Sequence, residues 1–507
     1  MKASVIDVGY NSIKLVTYSV GPDNSFFAYE QRSNHARLGE GLDQTGYLSS
    51  EPVRRAISGL KQFREILDIE SIRQVIPVAT SAVREAKNRE EFIKEAYQQT
   101  GFRFRVLSGM EEAMYSYRGA ASAIDARDIL FFDIGGGSLE VVYAENNQIK
   151  KVLSLPLGGL RLTQRYADRE GIFSNKQYGK MRDEIYEILP SGDELGLSHD
   201  TVLLGVGGTI RALATYDQVR RDYPLYKLHN YQVSRDSIEK IHKQLESMSL
   251  AQIAEIGCIS GDRAETIVAG SSVVELMMLK LGFLNLTVST HGLRDGVLAA
   301  FLENPLAYHR GKLSKNFQTR PKSAFKFQYS KNLIDALMHH RLLDAKERYI
   351  LEYSSKQLFS QAGPVKPLPL FYLTVEDESV LGHRDQLISS LSIVNGIHPK
   401  TANWLFDKYR QLLKLKHKRM IKKLSALLLL VELLEMSKAP VKVRIREKNQ
   451  IDLLVNSGRT KSGFPAVLMS DLAQDLGKYL GFPTTLKVRP TMATEPSAIP
   501  DARESDA

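Results

Sequence analysis

The chain has 507 residues, of which 43% are hydrophobic and 25% charged, with a formal net charge of +10. That length exceeds one ordinary core, so three or so domains are expected at roughly 100–200 residues each. The composition is that of a globular protein, and the excess of Lys and Arg favours polyanionic partners without separating nucleic acid from anionic lipid or polyphosphate. The single cysteine, Cys258, excludes an intrachain disulfide framework and a CxxC metal site.

Cys258 stands in an apolar stretch that reads as helical, which predicts a buried structural thiol. The chain opens directly on a strand-like pattern, without a basic-then-apolar leader. The most apolar later run, residues 426–434, is about half a membrane span. These features predict a cytoplasmic protein with no membrane partner.

In chain order, "VIDVGYNSIKLVTY" (residues 5–18) reads strand, turn, strand. A helical pattern follows near residues 51–67, then the strand "VIPVAT" (75–80) and a helix near 89–100. "FRVLSG" (104–109) reads as a strand running into a helix that begins near Met110. The segment "DILFFDIGGGSLEVVYAENNQIKKVLSLPLG" (128–158) then repeats the opening design of apolar strand, Asp, Gly-rich turn, apolar strand. One device used twice implies a duplicated α/β fold with a cleft between two lobes. The second lobe continues through "TVLLGVGGTIRALAT" (201–215) and "LNLTVST" (284–290) to "HGLRDGVLAAFL" (291–302). Lobe I is assigned to residues 1–124 and lobe II to 125–305. A basic linker covers 306–324, a mostly helical region 325–488, and a Pro-, Ser- and acid-rich disordered tail 489–507.

Gly-rich turns after apolar strands bring backbone N–H groups to an anion, because glycine has no Cβ in the way. Each turn taken singly also reads as an ordinary hairpin. As a matched pair led by Asp7 and Asp133, they read as a phosphate clamp; two carboxylates and a phosphate oxygen are Mg²⁺ ligands. No GxxxxGK[ST] and no dinucleotide fingerprint occurs. In "GVGGTIRAL", Gly207, Gly208 and Thr209 open a helix and present amides to an anion or a ribose-phosphate, with close strand–helix packing as the alternative. In "SGMEEAMYSY", Glu111 and Glu112 suit a helix N-terminus, and one of them would reach a cleft bordered by this helix, where a carboxylate can deprotonate water.

The segments "VIDVGYNSIKLV", "RLGEGL", "ATSAVREAKN", "VLSGMEEAMYSYRG", "FFDIGGGSLEVV", "SLPLGGLRLT", "GVGGTIRALA" and "VSTHGLRDGVL" resemble, in order and spacing, the exopolyphosphatase/guanosine pentaphosphate phosphohydrolase family. The resemblance spans roughly residues 1–301. It implies an actin-like ATPase fold of two ribonuclease H-like lobes, with the terminal phosphoryl group of a chain bound between them. By the same resemblance, the loops of Asp7, Gly9, Asn11 and Ser12 and of Asp133, Gly135, Gly136, Gly137 and Ser138 would hold phosphate and Mg²⁺. Glu140 matches another acid near the metal, Glu112 the catalytic base and Arg84 a phosphate-facing arginine. Such a set suffices for phosphoryl transfer, which depends on positioning and charge neutralisation. Two departures stand out: Tyr10 where the family usually has Ser or Thr, and Asp295 where it has Glu.

The third region resembles the HD-like helical domain of longer family members, faintly at residues 382–396 and better at 423–445. The His-Asp pair expected near 351–363 is missing, so no independent metal phosphohydrolase is expected there. The adjacent His339 and His340 are expected on different sides of a helix as solvated or capping residues. The run "KYRQLLKLKHKRMIKK" (408–423) has eight Lys or Arg and reads as one helix. Its positive face, with Lys414, Lys418, Arg419 and Lys422, is either merely solvated or a patch for the distal polyphosphate chain. Sparse aromatics argue against nucleic acid.

The expectation is therefore an Mg²⁺-dependent enzyme releasing terminal orthophosphate from inorganic polyphosphate, with guanosine pentaphosphate as a further substrate. A non-catalytic polyphosphate- or nucleotide-binding regulator and a polyphosphate:nucleotide phosphotransferase are the alternatives. Long family members are often dimers, so a homodimer is compatible with the resemblance.

Overall fold

The computed structural model describes residues 1–22, 24–168, 171–309, 325–360, 366–377, 380–446, 450–456 and 466–489. Most of the expected linker and the tail from residue 490 lie outside the described residues. The chain divides into two units, residues 1–321 with 378–380, and residues 322–377 with 381–507.

In the first unit, strands β1 (Lys2–Val8), β2 (Ile13–Val20), β3 (Phe26–Asn34), β4 (Gln74–Ala79) and β5 (Arg105–Val106) form a sheet of order β3-β2-β1-β4-β5. β1 and β2 are buried along almost their whole length, which requires the near-continuous apolar runs of the sequence. β3 is the exposed edge, polar over its second half from Glu30 to Asn34. β5 is shorter than "FRVLSG" suggests because the backbone turns at Ser108 to cap the next helix.

A second sheet holds β6 (Ile129–Ile134), β7 (Leu139–Glu145), β8 (Gln148–Leu155), β9 (Val202–Val206), β10 (Gln232–Ser234) and β11 (Asn285–Val288), in the order β10-β11-β9-β6-β7-β8. Both sheets share one plan. Their first three strands form an antiparallel meander, and the first strand pairs in parallel with the fourth. The likeness extends to single hydrogen bonds: Gly9 N donates to Ser12 O at 3.1 Å, and Gly135 N to Ser138 O at 3.0 Å. The two Asp–Gly segments are thus the same tight connection, built once in each sheet.

Helices cover the sheets, each burying an apolar stripe. In Ser50–Ile69 the stripe is Ala56, Leu60, Phe63 and Leu67, at helical spacing. Cys258 does not fit its expectation. It lies in the turn between the helices Leu250–Ala254 and Gly261–Lys280 and is only half-buried, because the apolar stretch around it breaks at Gly257.

Among its described residues the second unit has seven helices: Lys331–His339, Ala345–Phe359, Pro367–Glu376, His383–Ile397, Pro399–Lys408, Leu415–Met436 and Ala466–Leu480. It also has a sheet that the sequence reading did not foresee, β12 (Val441–Arg446), β13 (Gln450–Asn456) and β14 (Thr484–Arg489), in that order. The basic run is not one helix. Pro399–Lys408 ends at its first residue, and residues 409–413 turn so that Tyr409 and Leu413 are buried, with Tyr409 packed on Phe371. His339 ends its helix and His340 caps it, both exposed, and the two rings meet edge-on at 5.0 Å instead of pointing to opposite sides. No described helix is long and apolar enough to cross a membrane.

Candidate active site

The two Asp–Gly connections open onto one cleft between the sheets. Asp7 is the penultimate residue of β1 and Asp133 that of β6. In strand register Asp7 faces Lys14 and Asp133 faces Glu140. All four line the cleft, as do Gly9, Asn11, Ser12, Gly135, Gly136, Ser138, Gly207, Gly208, Thr209 and Glu112. Gly207 has φ of +110°, and a Cβ there would run into the carbonyl of Ile134; only glycine lets the β9 turn approach Asp133 this closely.

The helix Gly109–Ala121 divides the labour of its two glutamates. Glu111 closes a capping box with Ser108, accepting from Ser108 N at 2.9 Å while Ser108 Oγ accepts from Glu111 N, and it pairs with Arg105. Glu112, the next residue, is rotated by one helical step and reaches the cleft. Burial pushes its carboxyl up to about 7; Arg84 opposes the rise, and Asp7 and Asp133 add to it. Burial also raises Asp133, opposed by Lys14, and raises Glu140 strongly, with Glu112 and Asp133 adding repulsion.

Two residues expected among the phosphate contacts stand elsewhere. Arg84, on the short helix Ser81–Glu85, lies behind Glu112: its Nη1 donates to Glu112 Oε2 at 2.7 Å and to Leu107 O at 2.9 Å. It borders a neighbouring recess with Ser154 and Arg161, which meets the main cleft at Ser138. Gly137 does not line the cleft. A Cβ on it would overlap the Tyr10 ring, and one on Gly39 would do the same from the other side. Tyr10 is therefore held in the seam between the lobes, 2% exposed, with the Arg161 guanidinium 5.3 Å from its ring centroid. Arg161 itself pairs with Asp43 and Glu85 of lobe I. Asp295 caps its helix, accepting from Gly292 N at 2.9 Å.

The sequence reading missed four cations that line the cleft: Lys14, Arg211, Arg263 and Arg294. Burial, reinforced by Arg294, Arg211 and Arg263 and opposed by Asp7, brings Lys14 down to about 7; burial together with Arg294 and Arg263 brings Arg211 down to about 10. Crowding four cations against four carboxylates is what a site for a polyanion and a divalent cation requires. A signal was available for three of them. Lys14 is the hairpin partner of Asp7, and Arg211 and Arg294 stand inside "GVGGTIRAL" and "HGLRDGVL". Arg263 stands in no recognised segment.

Among the described residues, no three His, Cys, Asp or Glu side chains form a metal-holding group by themselves. The donor set nevertheless fits Mg²⁺, which is typically held by one or two carboxylates together with substrate phosphates and water. Asp7 and Asp133, at equivalent strand ends of one cleft, would supply the carboxylates.

In the second unit, the helix Leu415–Met436 sorts its cations by phase. Lys414, Lys418 and Lys422 follow one row, with Lys418 Nζ 5.4 Å from the Phe406 ring centroid. Lys416, Arg419 and Lys423 follow another, which lines a cleft of that unit. Of the four residues expected to bind a distal chain, Arg419 lines that cleft and Lys414, Lys418 and Lys422 lie on the other row, as the 3.6-residue turn dictates.

A model of the Ppx/GppA phosphatase family matches residues 23–304. The chain belongs to the Ppx/GppA phosphatase family. It is 28% identical over 312 residues to Exopolyphosphatase 2 of Mycobacterium tuberculosis, a match covering 58% of this chain and 97% of that one. It is also 28% identical over 312 residues to a bifunctional 3-dehydroquinate synthase/phosphatase of Fusobacterium nucleatum; that match covers 59% of this chain and 46% of the longer relative. Among solved structures, an exopolyphosphatase from Cytophaga hutchinsonii superposes with a TM-score of 0.56 at 27% identity, over 60% of this chain and 98% of that one. A Ppx/GppA family member from Aquifex aeolicus superposes with a TM-score of 0.50 at 24% identity, over 60% and 98%, and shows the shared α/β fold.

Proposed function

We propose that this phosphatase-family enzyme removes the terminal orthophosphate from inorganic polyphosphate with the aid of Mg²⁺, and acts on guanosine pentaphosphate through the same terminal phosphoryl group. The observation that carries this reading is one cleft holding duplicated Asp–Gly loops, four cations and a buried Glu112 whose carboxyl sits near 7. The exopolyphosphatases among the relatives support polyphosphate as the substrate class.

In this mechanism the amides around Gly9 and Gly135, with Lys14, Arg211, Arg263 and Arg294, bind the terminal phosphoryl group and offset its charge. Glu112 orients a water and takes its proton as the water oxygen bonds to phosphorus. The bridging P–O bond breaks, and its electron pair stays on the shortened chain. Mg²⁺ held by Asp7 and Asp133, with Glu140 beside it, would supply further neutralisation of the phosphate oxygens.

The second unit is read as an HD-like helical domain whose cations engage the polyanion. The protein is taken to be cytoplasmic and to need no membrane or nucleic acid, and a homodimer is compatible with this reading.

The test is orthophosphate release from both substrates, with and without Mg²⁺, by the wild type and Glu112→Gln. Release abolished by chelation and lowered about 10²–10⁴-fold by the substitution is expected; an unchanged rate in Glu112→Gln would remove the assigned base.

A further inference from the structure

A recess lies beside the catalytic cleft, on the far side of Glu112. Arg84, Ser108, Met110, Ser154 and Arg161 are among the residues that line it, and it shares Ser138 with the cleft. Besides Ser138, two hydrogen-bonded pairs stand between cleft and recess, each with its carboxylate in the cleft and its donor in the recess. Arg84 Nη1 donates to Glu112 Oε2 at 2.7 Å, and Ser154 Oγ to Glu140 Oε1 at 3.0 Å. Polar pairs can exchange partners with an anion, which packed apolar side chains cannot.

In-line displacement puts the attacking water and the leaving oxygen on opposite sides of phosphorus. Glu112 is the group that orients the water, so Glu112, Arg84 behind it and the recess all stand on the water side, and the shortened chain lies on the other. While that chain stays where it entered, the orthophosphate just formed has the recess as its open side. The recess reaches solvent, since Met110 on its lining is 58% exposed. Its charges suit an anion that passes through. Arg161 is held by Asp43 and Glu85, and Arg84 by Glu112, so neither guanidinium would trap phosphate in the resting chain. When Glu112 takes the proton of the water, it loses the charge that engages Arg84. That guanidinium is thereby released to the product in the step that forms it.

We propose that this recess is an orthophosphate site on the exit path of the product, which the phosphate reaches past Ser138 and leaves beside Met110. The inference rests on the hydrolysis proposed above and adds to it a second place for the product, distinct from that of the terminal phosphoryl group.

The test changes the charge at Met110, which lines the recess and not the cleft. Met110→Glu adds a repelling carboxylate, and Met110→Lys serves as its counterpart. Glutamate suits the first turn of a helix, and an unchanged melting temperature shows that both variants fold. Binding is read by equilibrium dialysis of radiolabelled orthophosphate against the full chain saturated with Mg²⁺ and methylenediphosphonate, whose P–C–P bridge resists hydrolysis and which fills the catalytic cleft. Orthophosphate should still bind beside the analogue, at least ten-fold more weakly in Met110→Glu and no more weakly in Met110→Lys. No binding beside the analogue, or equal affinity in all three chains, would overturn the proposal. The path is read with polyphosphate as substrate, by comparing orthophosphate formed, from rapid acid quench, with orthophosphate released, from a fluorescent phosphate sensor. Met110→Glu should keep the rate of cleavage within two-fold and slow release at least five-fold. Release that keeps pace with cleavage in Met110→Glu would take the recess off the exit path. A wild type that cleaves no polyphosphate would count against the proposed hydrolysis, a result distinct from the dialysis, which reads the recess by binding alone.

Discussion

Lys14 and Glu140 are structural equivalents of opposite charge: each is the cross-strand partner of the aspartate that leads its glycine connection, Asp7 in β1 and Asp133 in β6. The duplication preserved the turn, its Gly-to-Ser hydrogen bond and the leading acid, but gave the two lobes different neighbours for that acid. One side of the cleft floor is thereby suited to phosphate oxygens and the other to a cation. A symmetric pair of lysines or of glutamates would do one of these and oppose the other.

A bell-shaped pH dependence follows. Glu112 must be ionised to accept a proton, and Lys14 must be charged to hold phosphate. Their values in the free protein, both about 7, give an ascending and a descending limb that nearly meet. The profile of kcat/KM, which reports the free enzyme, should be narrow and centred near pH 7. Lys14→Arg keeps the charge at all accessible pH values and should remove the descending limb while leaving the ascending one. A profile unchanged by Lys14→Arg would show that another group sets the alkaline side.

Arg84 should act through Glu112. Its 2.7 Å contact favours the ionised carboxylate, so Arg84→Gln lets burial and the repulsion from Asp7 and Asp133 push Glu112 further above 7. The expected result is an ascending limb displaced to higher pH, so that activity relative to the wild type at the same pH is lost about ten-fold or more at pH 6 and by less at pH 8.5. A uniform loss across pH, with KM raised, would instead place Arg84 on the substrate.

The paired connections were legible because a tight turn is a local object: Asp, Gly and Ser lie within six residues, and the hydrogen bond that closes the turn joins residues three apart. The split between Glu111 and Glu112 was half legible. A capping box can be read from Ser108 and Glu111, but which element Glu112 meets depends on where the helix packs. Lys14, Arg211, Arg263 and Arg294 are separated by up to 280 residues and meet only when two sheets close on each other. In the C-terminal unit the part that was not legible was how the cations divide between faces. The run of cations is visible in the sequence, yet burial of Tyr409 and Leu413 breaks it, and the helical repeat then sends alternate cations to different faces.

The contribution of the buried Glu112 and Glu140 to folding stability falls as pH rises. Glu112 is raised in the folded state from 4.5 to about 7, so the folded chain binds more protons than the unfolded chain between those values. Its contribution is fully present below about pH 4.5 and is lost as pH climbs through about 7, and Glu140 acts in the same direction. For Glu112 the loss is on the order of 3 kcal/mol. Glu112→Gln should therefore flatten the decline in stability between pH 5 and 8, measured by urea unfolding. An equally steep decline in the variant would assign the effect to other groups. Mg²⁺, by binding the ionised carboxylates of the folded state, should counter the decline above pH 7.

Tyr10 and Gly137 should behave as one unit. The ring fills the seam between the lobes only because Gly137 on one side and Gly39 on the other lack a Cβ. Gly137→Ala alone places a methyl group where the ring lies and should cost about 1–3 kcal/mol through overpacking. Tyr10→Ser alone empties the seam and removes the surface on which Arg161 rests, and should cost about 3–5 kcal/mol, as large-to-small core substitutions do. In the double variant the added methyl no longer meets a ring, so the combined loss should fall short of the sum by at least 0.5 kcal/mol, the coupling expected of residues in contact. A strictly additive cycle by urea unfolding would mean that the ring does not depend on Gly137. The same Tyr10→Ser chain, assayed for orthophosphate release, separates seam from site. A ring that acts only by packing predicts a lower melting temperature with KM for polyphosphate unchanged within two-fold, whereas a ring that shapes the entrance predicts a change in KM that depends on chain length.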